Sequence, residues 1–139
     1  MRNRLWIATL LTLSAAAAEP ASFKVVVNAA NPVSTISRAE LSSMLMKKQA
    51  RWANGTAVQP VDQAEQSRVR ESFTKAVHGK SVAAVRSYWQ QQIFSGRNVP
   101  PLEVRNDAEV VAYVRSKPGA IGYVSEGALL DGVKQLEVQ

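Results

Sequence analysis

The stretch AVQPVDQAEQSRVRESFTKAV, residues Ala57–Val77, decides how the rest of the chain is organised. It predicts a short strand, then a polar loop, then a helix with Ser67, Arg68 and Arg70 in its first turn. The first N–H groups of a helix have no helical partner, and the helix dipole is positive at that end. A strand that runs through a short loop into a helix N-terminus is therefore a candidate anion site.

The first residues of the chain predict a signal for export. Arg2 and Arg4 precede an apolar run from Leu5 to Leu13, and the alanines at positions 15–18 offer a cleavage site before Glu19. The apolar run is too short to be a stable membrane span. We therefore predict a cleaved signal peptide over residues 1–18 and one domain over residues 19–139. The alternative is an uncleaved membrane anchor.

The composition excludes several classes of function. The 139-residue chain has 17 basic and 11 acidic residues; without Arg2 and Arg4 the balance is 15 against 11, a net charge of about +4. Nucleic-acid-binding proteins concentrate their positive charge, whereas here it is spread along the chain, so we expect no nucleic-acid partner. The chain has no cysteine and one histidine, and its carboxylates show no ligand spacing. We therefore predict no metal site and no cofactor.

Strands and helices alternate along the predicted domain. Three apolar runs predict the strands of a sheet: Phe23–Asn28, Val58–Asp62 and Ala120–Val124. Val133–Val138 predicts a last, exposed strand. Residues suited to N-capping predict four helices: after Ser37, Ser67, Ser81 and Asn106. Ser37 with Glu40 fits a capping box, and this first helix is predicted to end near Lys48. Gly122 indicates either tight packing or the close approach of a ligand or backbone.

Three segments resemble the phosphate-binding periplasmic proteins of ABC transporters. They are NPVSTISRAELSSMLMKKQARWANG from Asn31, VQPVDQAEQSRVRESF from Val58 and KPGAIGYVS from Lys117. Corresponding segments occur in the same order in that family, whose members have two lobes with the anion held in the cleft between them. This chain is roughly half as long. The resemblance therefore implies an α/β fold of one periplasmic-binding-protein-like lobe, a small mixed sheet flanked by about four helices.

The resemblance also implies a function and a site. It implies a periplasmic, non-enzymatic protein that binds phosphate or a similar oxyanion for ABC uptake, with a membrane transporter or a periplasmic protein as partner. Where the family has D-G-S-G-T, this chain has EQSRV, starting at Glu65. Ser67 matches the ligand-contacting serine, and Glu65 is a longer version of the acceptor aspartate. Arg68 or Arg70 can supply positive charge, so these four residues are the predicted ligand-binding set.

The departures from the family pattern support a second hypothesis. Both glycines and the threonine of the motif are missing, and Asp62 and Gln63 stand where a basic residue is expected. Without the glycines, the backbone loses the freedom to approach an anion closely. The alternative is a non-catalytic periplasmic interaction module that kept the lobe fold and lost the ligand. In that case Ser67 is only an N-cap, and Arg68 and Arg70 are solvated helix residues.

Overall fold

A computed structural model describes residues 23–139 of the chain. The predicted signal peptide over residues 1–18 lies outside the described residues, as do residues 19–22 of the predicted domain. Within residues 23–139, no helix combines the length and apolar character that crossing a membrane requires.

Six strands form one mixed sheet in the order β2-β6-β1-β5-β3-β4. In chain order they are β1 (Phe23–Asn28), β2 (Thr35–Ile36), β3 (Gln59–Gln63), β4 (Leu102–Val104), β5 (Ala120–Ser125) and β6 (Val133–Val138). Strand β1 is antiparallel to both of its neighbours, β5 and β6. The other pairs are parallel: β3 with β4, β3 with β5, and β2 with β6. The predicted mixed sheet is confirmed. The last strand, predicted to be exposed, lies between β1 and β2 and buries Leu136.

Four helices begin after the four predicted N-cap residues. They are α1 (Arg38–Leu45), α2 (Arg68–Phe73), α3 (Val82–Phe94) and α4 (Asp107–Ser116). Each N-cap side chain accepts a hydrogen bond from the backbone N–H three residues further on. Helix α2 continues as a π-helical turn over Thr74–His78. The prediction that α1 reaches Lys48 is wrong, because the chain turns out of the helix at Lys47, whose φ is 54°.

Both faces of the sheet are buried, so the domain has three layers. On one face, α1 and α2 cover Val25, Val27 and Tyr123, with Leu41 and Phe73 in the same cluster. On the opposite face, helix α4 covers the sheet through its buried residues Val110, Val111 and Val114. Helix α3 packs through a smaller cluster, in which Val85 and Trp89 meet Met46. Because this cluster is small, most of α3 stays exposed beside the sheet.

Of the two hydrogen bonds of the predicted capping box, only the one to the Ser37 side chain forms. The start of α1 can therefore be tested at Ser37. Ser37 Oγ accepts from the Glu40 N–H at 3.1 Å, but the Glu40 carboxylate accepts from Gln49 Nε2 at 3.0 Å. We expect Ser37→Ala to lower the free energy of unfolding by about 1 kcal/mol, measured by urea denaturation. Ser34→Ala is the control, since the Ser34 side chain makes no hydrogen bond within residues 23–139. Equal stability of the two variants would place the helix start elsewhere.

Gly122 on β5 is required by packing between the sheet and α4. A Cβ atom there would lie 2.6 Å from Val61 Cγ1 and 2.8 Å from Val110 Cγ1. We expect Gly122→Ala to cost about 1–3 kcal/mol of stability, the usual penalty for overpacking a core. In Gly127→Ala, by contrast, the new methyl group meets no atom within 4 Å. A Gly122→Ala protein that melts like the Gly127→Ala protein would refute the packing role.

Candidate functional site

The candidate site lies where β3 ends and α2 begins. Ser67 is the N-cap of α2, and its Oγ accepts from the Arg70 N–H at 3.3 Å. The same hydroxyl group donates to Gln63 Oε1, also at 3.3 Å. The Ser67 hydroxyl therefore has two partners inside the protein, one on the helix and one on the strand.

Arg70 is the charged centre of this junction. Its side chain is buried, with only 4% of the residue exposed, and its Nη1 donates to the Gln63 carbonyl oxygen at 2.6 Å. Nε lies 3.2 Å from Asp62 Oδ1, and Nη1 lies 3.5 Å from Glu103 Oε2. The Nε contact lacks hydrogen-bond geometry, so it is an electrostatic contact only. A guanidinium this deeply buried requires a negative partner, and Asp62 provides it.

The Asp62 carboxylate is held by donors from two strands. Oδ1 accepts from the Tyr123 hydroxyl on β5 and from the Gln63 N–H at 3.1 Å. Burial raises the pKa of the Asp62 carboxyl above its ordinary value, although Arg70 and these hydrogen bonds oppose the change. Burial and the neighbouring Asp62 raise the pKa of the Tyr123 phenol, which keeps Tyr123 protonated as a donor. No local pattern indicates this pairing, because Tyr123 on β5 is 61 residues away from Asp62 on β3.

Two of the four predicted ligand residues line one cleft. The cleft has a volume of about 160 Å³, and its charged lining is Asp62, Glu65, Arg70, Arg86 and Glu103. Its apolar wall is formed by Trp89, Ile93, Pro100 and Pro101. The predicted residues Ser67 and Arg68 are not part of this lining.

The second arginine of the cleft is also paired. Arg86 on α3 donates from Nη1 to Glu65 Oε2 at 2.8 Å, and both side chains are partly exposed. Arg68, by contrast, is exposed and forms no ion pair within residues 23–139. The cleft therefore holds three carboxylates and two guanidinium groups, and each guanidinium group already faces a carboxylate.

His78 packs beside the same helix but outside the cleft. Its Nδ1 lies 2.7 Å from Ser42 Oγ, and its ring packs edge-on against Phe73. Burial, together with the positive charge of Arg70, lowers the pKa of His78 to about 4. The imidazole is therefore neutral at pH 7. Within residues 23–139, no carboxylate hydrogen-bonds the ring to orient it as a catalytic base.

Over residues 23–139, no group of three or more His, Asp or Glu side chains is arranged to hold a metal ion.

A larger hollow of about 570 Å³ lies between the end of α2 and the start of α3, where Glu71, Lys75 and Lys80 line it. Glu71, Lys75 and Lys80 are all exposed, so the buried Arg70 marks the smaller cleft as the candidate site.

Solved structures with a similar fold were found, whereas no protein-family model and no curated protein matches the sequence. An ABC-type phosphate transport receptor from Vibrio cholerae is 21% identical, with a TM-score of 0.67 over 84% of this chain and 46% of that one. A putative phosphate ABC transporter substrate-binding protein with bound phosphate from Clostridium perfringens is 18% identical, with a TM-score of 0.68 over 84% and 44%.

A possible phosphate binding protein from Planctomyces limnophilus is 20% identical, with a TM-score of 0.64 over 85% of this chain and 41% of that one. This chain thus spans less than half the length of the solved structures that it resembles. At these identities the likeness concerns the fold. The predicted resemblance is confirmed at that level: the chain has the mixed α/β fold of a periplasmic-binding-protein-like lobe.

Proposed function

We propose that this chain is a non-enzymatic, periplasmic interaction module. It keeps the fold of a solute-binding lobe, but its cleft binds a protein surface and no free oxyanion. One observation carries the proposal: the two arginines of the cleft are already compensated by Asp62 and Glu65. The predicted signal peptide over residues 1–18 supplies the route to the periplasm.

The charges of the cleft explain why a free anion is a poor ligand. Once each guanidinium group is paired, Glu103 remains as the surplus negative charge. Two like unit charges 4 Å apart near a protein surface repel by about 4 kcal/mol. A hydrogen bond to a charged group contributes only about 1.5–3 kcal/mol. Three carboxylates against two guanidinium groups leave the cleft with a net charge of −1, so a phosphate dianion would approach a site of like net charge.

A second candidate function is the binding of phosphate or a similar oxyanion for delivery to an ABC transporter. Two observations favour it: Arg70 and Arg86 line one small cleft, and solved structures of similar fold are described as phosphate-binding. In this candidate, Arg70 and Glu65 contact the anion and Ser67 contributes its hydroxyl group. Arg68, which is exposed outside the cleft, adds only long-range attraction.

Calorimetric titration with phosphate and sulfate separates the two candidates. We expect the purified protein to give no saturable heat with either anion up to about 1 mM, because the arginine charges are compensated. Tight, saturable binding of phosphate would contradict the proposal and favour the second candidate. In that event Arg70→Gln should abolish binding, whereas Arg68→Gln should change Kd by no more than about two-fold.

Removal of the compensating charge should create an anion site. Asp62→Asn keeps the side-chain shape but leaves the buried Arg70 with only its 3.5 Å contact to the half-exposed Glu103, so we expect a loss of stability of about 3 kcal/mol. Phosphate or sulfate at about 10 mM should then raise the melting temperature of the variant and leave that of the wild type unchanged. The control is Asp131→Asn, which removes a carboxylate that is 90% exposed. If neither phosphate nor sulfate raises the melting temperature of the Asp62→Asn protein, Arg70 does not belong to a latent anion site.

A further inference from the structure

The end of α3 and the segment after it form an exposed apolar surface beside the cleft. Phe94, the last residue of α3, is 95% exposed, and Ile93 and Val99 are each more than half exposed. Ile93 and Pro100 also line the cleft. We call these four residues the apolar rim. Scattered apolar side chains are normal on a protein surface, but here two of the four line a cleft and the other two adjoin them in the chain, which is typical of an interaction site.

The apolar rim places a protruding side chain next to a recess that can receive it. Phe94 is the protrusion. The recess is the cleft of about 160 Å³, whose wall contains Trp89, Ile93 and Pro101. A recess of this size is of the same order as a phenylalanine side chain, and aromatic side chains in such recesses dominate the energetics of many interfaces.

Charges of both signs accompany the apolar rim. Arg97 lies between Phe94 and Val99 in the sequence, is exposed and forms no ion pair within residues 23–139. Glu103, at the mouth of the cleft, is half exposed, and its only ion-pair contact in the same residues is the one at 3.5 Å to Arg70. A surface with a protrusion, a recess and an exposed charge of each sign can be complementary to itself.

We propose that the apolar rim binds a second copy of this chain in a two-fold symmetric dimer. Phe94 of each copy enters the cleft of the other, and Arg97 of each copy meets the other copy's Glu103. This inference rests on the proposed function, since it makes a protein the ligand of the cleft. It also names the surface and the partner.

The sheet edge next to the cleft does not offer a competing dimer contact. Strand β4 has only three residues, and Pro100 and Pro101 precede it. The N–H of Arg105, just after the strand, donates to Glu109 Oε2 at 2.7 Å. Prolines and occupied N–H groups protect a sheet edge against pairing with another strand. Association at this end of the molecule must therefore use side chains.

The expected size of the contact is typical of weak, transient complexes. A buried phenylalanine removes about 150–250 Å² of surface from water, and two-fold symmetry doubles this. With the other apolar rim residues, the contact falls among small interfaces of less than about 1,200 Å². We therefore expect a dissociation constant on the order of 10–100 µM.

Sedimentation equilibrium of the purified protein at concentrations from about 1 to 500 µM tests the proposal. The mean mass should rise from monomer to dimer over this range. Phe94→Ser should weaken dimerisation at least about tenfold, because it removes the side chain that fills the cleft. Leu129→Ser is the matched control: Leu129 is also apolar and 87% exposed, but it lies in the loop between β5 and β6, so dimerisation should not change.

A charge-reversal experiment tests which residues meet. Arg97→Glu and Glu103→Arg should each weaken the homodimer, because each variant sets like charges against each other in both contacts. An equimolar mixture of the two variants should form a heterodimer of wild-type affinity, since each contact then joins opposite charges. A merely structural role for either residue would not produce this rescue.

The outcomes separate this inference from the proposed function. If the wild-type protein is monomeric at every concentration, the proposed dimer is wrong. It is also wrong if the Phe94→Ser protein dimerises with wild-type affinity. Failure of the mixed variants to associate overturns the pairing of Arg97 with Glu103. None of these results changes the phosphate titration, and saturable phosphate binding would overturn the proposed function without changing the measured oligomeric state.

Discussion

The buried ion pair between Arg70 and Asp62 is the interaction on which the site depends. A guanidinium group that is almost fully removed from water loses its hydration, and only a nearby carboxylate can compensate for that loss. The pair joins α2 to β3, and the Tyr123 hydroxyl joins it to β5. The consecutive elements β3 and α2 are thereby joined to β5, which is distant in sequence, and the N-terminus of α2 is held against the sheet.

The same pair also determines what the cleft can bind. At an open helix N-terminus, free N–H groups and an unpaired arginine can receive an anion. Here the Arg70 N–H is bonded to the Ser67 hydroxyl, and the guanidinium group faces Asp62 and Glu103. Two of the groups that would hold a small anion, the Arg70 N–H and its guanidinium group, are thus occupied by the protein's own groups. The stability of the junction and the low affinity for free anions that we propose have the same physical origin.

Helix α3 adds the second property of the cleft, its apolar wall. The helix is anchored by Val85 and Trp89 against Met46, and most of its remaining surface faces solvent. Trp89 thus positions Ile93 beside Pro100 and leaves Phe94 exposed. A cleft with compensated charges and an apolar wall is better suited to a protein surface than to a hydrated ion, because burial of apolar area drives protein association.

Local patterns predicted the regular elements well. The β-branched runs gave β1 and β5 nearly to the residue, since side chains buried on both faces of a sheet form continuous apolar segments. The four N-caps were also recognisable, because the capping bond joins residues only three apart. Strands β2 and β4 were missed, since segments of two and three residues are too short to show any periodicity.

The sequence by itself determined the helix starts and the location of the candidate junction, because both follow from contacts between residues close together in the chain. The lobe-type fold class was implied by the resemblance of three segments to a known family. Only the tertiary structure decided the state of that junction. It buried Arg70 and left Arg68 in solvent, and it brought Tyr123 and Glu103 to the same charge. The sheet order places β3 between β4 and β5, and a local pattern carries no information about which strands become neighbours. Whether an arginine is free or compensated depends on those neighbours.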